Sequence, residues 1–164
     1  RMMTDPDIKQ NRLEWLKDGP ETSDDSDTIY FVGCMPYYDP IFKNIGAEGV
    51  EIAQAAVKIL NHLGIQPQVL ADERCCGHDQ LWQGNVENFH ALAKLNMEAL
   101  KASAAKRIVT TCPECARTLK IDYPEFMGEH GLEVLHITEL IAESDLDIRA
   151  DRRRPDCAVG GVGF

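Results

Sequence analysis

No stretch of this 164-residue chain approaches the roughly 20 consecutive apolar residues that a helix needs to cross a bilayer, so no membrane span is expected. No secretory leader is expected from the opening: Arg1-Met2-Met3-Thr4-Asp5 runs on into polar sequence, not into an apolar stretch. The expected location is therefore cytoplasmic, with the inner face of a membrane complex as the alternative. The opening Arg1 reads as the start of a piece cut from a longer polypeptide. Basic residues are scarce. There are 17 Lys and Arg against 27 Asp and Glu, for a net charge of −10. Surfaces that bind nucleic acid or anionic lipid set Lys and Arg against phosphates, so neither partner is expected. There is no internal repeat and no dinucleotide fingerprint. The glycines around Cys76 and Gly84 lack its spacing, and Gly160-Gly161-Val162-Gly163 follows no strand.

The hydrophobic fraction is 44%, enough for one domain with a core of its own. Residues 1–27 read as a flexible acidic lead-in, with one amphipathic piece, Ile8 to Lys17, as a docking helix. From Thr28 strands and helices alternate. Strands are expected at 29–32, 68–70, 107–111 and 133–137. Helices are expected at 47–63, at 85–105 with Asn85 as N-cap, from Pro113 to just before Pro124, and at 138–143 with Thr138 as cap. That order predicts an α/β domain over 28–143: about four mostly parallel strands flanked by helices. Residues 144–164 form a charged, then Gly-rich tail with no assigned structure.

Cysteine is what the chain has in excess: six residues, with no leader to favour disulfides. Cys34 follows the first expected strand. Cys75 and Cys76 follow the second. Cys112 follows the third, with Cys115 one helical turn on. Five cysteines thus fall at the C-terminal ends of parallel strands, the edge where open α/β sheets bind ligands. Several buried thiolates repel one another unless a metal neutralises them. Adjacent side chains diverge, so Cys75 and Cys76 suit different metal atoms of a multinuclear cluster better than one ion. The Cys112-Pro113-Glu114-Cys115 pair opens a helix, where the dipole favours thiolate. Only Cys157 stands apart, and it reads as an incidental thiol.

Gly33-Cys34, Cys75-Cys76-Gly77 and Cys112-Pro113-Glu114-Cys115 together resemble the cysteine-rich CCG domain. That domain occurs in the B and D subunits of heterodisulfide reductase. It also occurs in iron–sulfur subunits of anaerobic glycerol-3-phosphate dehydrogenase, glycolate oxidase and lactate utilisation systems. The resemblance spans Thr28 to Glu143. It implies a noncubane [4Fe–4S] cluster with Cys34, Cys75, Cys76, Cys112 and Cys115 as ligands, one of them bridging irons. It also implies an iron–sulfur module for electron transfer or disulfide reduction in a heterodisulfide-reductase-like oxidoreductase. The implied partners are subunits or domains with ferredoxin-type [4Fe–4S] clusters, and a flavin subunit. Heterodisulfide reductase subunits usually carry two such domains; this sequence carries one, and the resemblance implies a second in the rest of a longer chain or on another subunit.

Two other readings stay open. One is a structural or interaction domain stapled by zinc or by a redox-silent cluster, although zinc takes four ligands and leaves a fifth cysteine over. The other is a metal-free dithiol oxidoreductase working through Cys112 and Cys115. His78 is a weak candidate for a proton relay or a hydrogen bond to sulfur, against an ordinary loop histidine. His136 could face the site, with core or surface favoured. Met35, Tyr37 and Tyr38 would wall the pocket or simply pack. Trp82 and Phe89 read as packing residues.

Overall fold

Three short β-rich runs form the sheet in a computed structural model of the chain, which describes residues 12–17 and 19–144. They are β1 (Thr28–Tyr30), β2 (Arg107–Thr110) and β3 (Glu133–His136), parallel and in spatial order β1-β2-β3. Ile29 pairs with Ile108, and Ile108 with Val134. Both sheet faces are covered, so each strand is a run of apolar residues rather than an alternation with polar ones.

The period of two sorts those residues into two cores. On one face Ile29, Phe31, Ile108 and Val134 meet Phe89, Ala93, Met97 and Leu100 of a long helix. On the other, Tyr30, Val32, Val109 and Leu135 meet Ala53, Val57 and Leu60 of a second helix, with Trp15 and Leu140. In chain order the helices are α1 (Met35–Phe42), α2 (Gly49–His62), α3 (His78–Trp82), α4 (Val86–Ala102), α5 (Pro113–Arg117), α6 (Tyr123–Met127) and α7 (Ile137–Glu143). As expected, Asn85 caps α4, its side chain accepting from the Asn88 N–H.

The fourth strand is reduced to one bridge. Gln68 donates its N–H to Thr28 O and accepts from Tyr30 N–H, both at 2.8 Å. Pro67 has no N–H to extend the ladder backwards. Beyond Leu70 the chain turns, with Glu73 N–H on Leu70 O, and this carries Glu73 to the end of β1. The helix from Pro113 also departs from expectation. It does not stop before Pro124: the π-helical turn Thr118–Asp122 leads into α6, with Pro124 in its first turn. A proline ring clashes with the carbonyl four residues back, here Lys120, and widening the helix there relieves the clash. His136, not Thr138, caps α7, in a reciprocal arrangement with Glu139.

Part of the expected lead-in is packed. Arg12 and Trp15 are buried, and Trp15 sits edge-on to Tyr30 with ring centroids 6.1 Å apart. Gln54 donates to Trp15 O at 2.7 Å, and Ser23 N–H to Pro67 O at 3.1 Å. Of the expected docking helix, the described part is a single 3-10 turn, Glu14–Leu16. The remainder of that piece, and the tail with Cys157, lie outside the described residues.

Candidate metal centre

Cys34 lies just beyond β1 and caps α1, its carbonyl accepting from both Tyr37 and Tyr38 N–H at 3.0 Å. Gly33 before it has φ +67°, and a Cβ there would stand 2.9 Å from Cys115 Sγ. Only glycine fits, because the backbone is left-handed and the sulfur is so close. Cys75 and Cys76 precede Gly77, also left-handed, which starts α3. A Cβ on Gly77 would meet the Phe89 ring at 2.9 Å. Cys112 caps α5, its sulfur accepting the Cys115 N–H at 3.5 Å.

These turns bring all five sulfurs into one connected series: Cys34 contacts Cys75, Cys75 contacts Cys76, Cys76 contacts Cys115, and Cys115 contacts Cys112. The Cys115 and Cys76 sulfurs are 3.4 Å apart. Cys76 and Cys115 are buried, while Cys34, Cys75 and Cys112 are half-buried; all five are free thiols. Among the described residues, no three Cys, His, Asp or Glu side chains gather as a group that could hold a metal ion.

Hydrogen bonding and burial move the five thiols in different directions. Cys34 is raised by donating to Cys75, and burial adds to this. Cys75 accepts from Cys34 and then from Cys76, and lies below the ordinary thiol range. For Cys76 the bond with Cys115 lowers it, but the bond to Cys75, burial and nearby charge outweigh that and leave it raised. Cys115 is raised by its bonds to Cys112 and Cys76 and by burial. Cys112 is lowered, chiefly by the Cys115 bond. Thiols packed side by side and partly out of water disfavour negative charge on one another unless a metal is present. A cluster binding all five as thiolates would supply the missing positive charge. By its chemistry, five cysteine sulfurs in one contact series, this donor set fits an iron–sulfur cluster.

Side chains beneath the loops hold them from inside. The Asn96 amide accepts from Arg74 N–H at 2.7 Å and donates to Arg74 O, Cys75 O and the Tyr123 hydroxyl. Tyr123 in turn donates to Cys76 O at 3.1 Å. Glu73 accepts from Val32 and Gly33 N–H, and Arg12 donates to Glu73 and to Gly33 O. Burial pushes the Glu73 carboxyl up to about 7, although Arg12 and the two backbone donors pull it down. Sequence reasoning gave none of these four residues a role at the site. Asn96 did leave a signal: it interrupts the apolar stripe Phe89, Ala93, Met97, Leu100 of α4.

The secondary candidates divide. His78 starts α3, its ring 5.5 Å from that of Trp82, and its Nδ1 is buried without a hydrogen-bond partner among the described residues. Trp82 is not a packing residue. It is 65% exposed, with the Arg117 guanidinium 5.3 Å from its ring centre. Phe89 is fully buried, as expected. Tyr37 and Tyr38 meet edge to face, and Tyr38 lies near Cys34 and Cys75. Met35 packs against the second core. His136 is taken up elsewhere: its Nε2 meets Thr111 O, beside Cys112, at 3.0 Å, and its Nδ1 serves the α7 cap. No helix among the described residues is long and apolar enough to cross a membrane.

The family model of the CCG cysteine-rich domain matches residues 28–120, the span holding all five clustered cysteines. The chain belongs to the CCG cysteine-rich domain family. The D subunit of the dihydromethanophenazine:CoB–CoM heterodisulfide reductase of Methanosarcina mazei is 32% identical over 140 residues, which cover 82% of this CCG chain and 32% of that relative. The EtfAB:quinone oxidoreductase of Syntrophomonas wolfei is 30% identical over 125 residues, 76% of this chain and 16% of that protein. An uncharacterized iron–sulfur protein of Methanococcus maripaludis is 30% identical over 117 residues, 71% of this chain and 21% of its own length. The chain thus spans a third or less of these curated relatives. No solved structure matches it significantly.

Proposed function

We propose that this CCG domain is the iron–sulfur redox module of a larger, heterodisulfide-reductase-like oxidoreductase. In this reading Cys34, Cys75, Cys76, Cys112 and Cys115 hold a noncubane [4Fe–4S] cluster at the C-terminal edge of the sheet. The observation that carries it is the unbroken contact series among five sulfurs drawn from three separate loops. When bound, the cluster supplies electron transfer, at a potential tuned by hydrogen bonds to sulfur and by burial. The chain's own residues do the rest. Cys75 and Cys76, whose adjacent side chains diverge, would both hold the cluster. The buried Cys76 and Cys115 shield the inner side from water, and Cys34, Cys75 and Cys112 form the side open to a partner.

Electrons would arrive from ferredoxin-type clusters or a flavin on a neighbouring subunit or domain. They would leave to a disulfide, a quinone or another carrier. The reductase and quinone oxidoreductase named above support that class. The test is the iron, sulfide and zinc content of anaerobically purified protein, with electron paramagnetic resonance of the oxidised state. About four irons and four sulfides per chain are expected. One zinc and no colour would replace this reading with a structural site. Neither metal, with a titratable pair at Cys112 and Cys115, would replace it with a dithiol oxidoreductase.

A further inference from the structure

The loops that carry Cys34 and Cys75 come from segments 40 residues apart, and no regular ladder joins them beyond the single bridge at Gln68. What joins them is Glu73. One carboxylate oxygen accepts from Gly33 N–H at 2.8 Å, the other from Val32 N–H at 3.2 Å. The residue therefore stands two positions before Cys75 while gripping the backbone next to Cys34. Arg12 closes the grip from outside the cysteine segments: one guanidinium nitrogen donates both to Glu73, at 3.0 Å, and to Gly33 O. The two side chains are only 4% and 1% exposed. A buried ion pair of this kind is costly to desolvate and is weak evidence for stability on its own, so another reason for it is worth seeking.

The geometry points to Arg12 and Glu73 as a positioning clamp that sets the separation of the Cys34 and Cys75 loops, and so places Cys34 sulfur against the rest of the sulfur series. The inference rests on the reading of those cysteines as cluster ligands. Neither clamp residue touches the cluster; each acts through Cys34 and Cys75. Without the clamp, the vicinal pair and the Cys112–Cys115 pair keep their own supports, from Asn96, Tyr123 and the α5 N-terminus. Cys34 loses its tie to the Cys75 loop.

Glu73→Gln keeps the shape but strands a buried cation, and such a variant can fail to fold. The paired change Arg12→Met with Glu73→Gln removes both charges together and guards against that failure. Near-ultraviolet circular dichroism of the chain confirms that it is folded. Two measurements then separate positioning from plain structural support. In the metal-free chain, diamide takes two hydrogens from a close thiol pair and leaves a disulfide. Peptide mapping is expected to show Cys34 joined to Cys75 in the parent and Cys34 left as a free thiol in the paired variant. In the iron-loaded chain, iron affinity is expected to fall about 10- to 100-fold, as on losing an outer support of a metal ligand. The residual resonance should match that of Cys34→Ser. A parent-like disulfide map together with a parent-like resonance in the folded paired variant overturns the clamp. A parent chain that binds no iron overturns the proposed function instead, and the disulfide map, read without metal, tells the two failures apart.

Discussion

Replacing Asn96 with leucine keeps a branched side chain but removes the amide that supports the vicinal cysteines from beneath. Asn96 is buried, with its oxygen accepting from Arg74 N–H and its amide nitrogen facing Arg74 O, Cys75 O and the Tyr123 hydroxyl. Two amide hydrogens serve three acceptors, so one bond is shared. Tyr123 keeps a partner after the change, because it still donates to Cys76 O. The main loss is the buried bond from Arg74 N–H, which at about 1–3 kcal/mol, plus two under-served carbonyls, puts the total at about 3 kcal/mol. For a chain of this size that lowers the midpoint of thermal unfolding by roughly 6–12 °C. The assay is circular dichroism melting of the metal-free chain, so that no bound metal enters the comparison. Tyr123→Phe, which removes one donor and one acceptor, should cost only about 1 kcal/mol. A change within about 0.5 kcal/mol for Asn96→Leu, the range of a surface substitution, would refute the account of how this loop is held.

Gly33→Ala forces a left-handed alanine, costing about 1–2 kcal/mol, and drives a methyl group against Cys115 Sγ. Reduced iron content per folded chain, measured beside the melting curve, is the expected result. Trp15→Ala should cost about 3 kcal/mol in the same melting assay if the 12–17 stretch belongs to the folding unit; an unchanged curve would remove it from that unit. In the metal-free, reduced chain, iodoacetamide, which attacks thiolate, should label the half-buried Cys75 and Cys112 well before the buried Cys76 and Cys115. Mass mapping of a time course reads the order, and early labelling of Cys115 would contradict the burial of its sulfur.

The strands at β1, β2 and β3 were legible because parallel strands covered on both faces are written as short apolar runs, and the long helices because their stripes repeat at 3.6 residues. The Gln68 segment looked equally strand-like. Pairing needs more than composition, and Glu73 pulls the chain away after one bridge. Helix α1 was hidden by Pro36 and Pro40, although Pro36 sits in the first turn, where a missing N–H costs nothing. The run past Pro124 was hidden for the related reason that a local rule for proline does not foresee a widened turn. The cysteines were legible as a group because their spacing matched the strand ends. Their supports were not, because Arg12, Glu73 and Asn96 act through partners 21 to 61 residues distant. No sequence window reaches that far.

The hydrogen bond between Tyr30 and Thr111 spans 81 residues, and the sulfurs beside it are spread as widely. At ordinary rates of protein synthesis, roughly 4–16 s separate the emergence of Cys34 from that of Cys115. For that interval the early thiol has no companions from the third loop, and the parallel sheet that gathers them cannot close. A cofactor gripped by all five must therefore be delivered after translation has passed the last of them. The timetable of the ribosome, as much as the chemistry of sulfur, fixes when this domain can become redox-active.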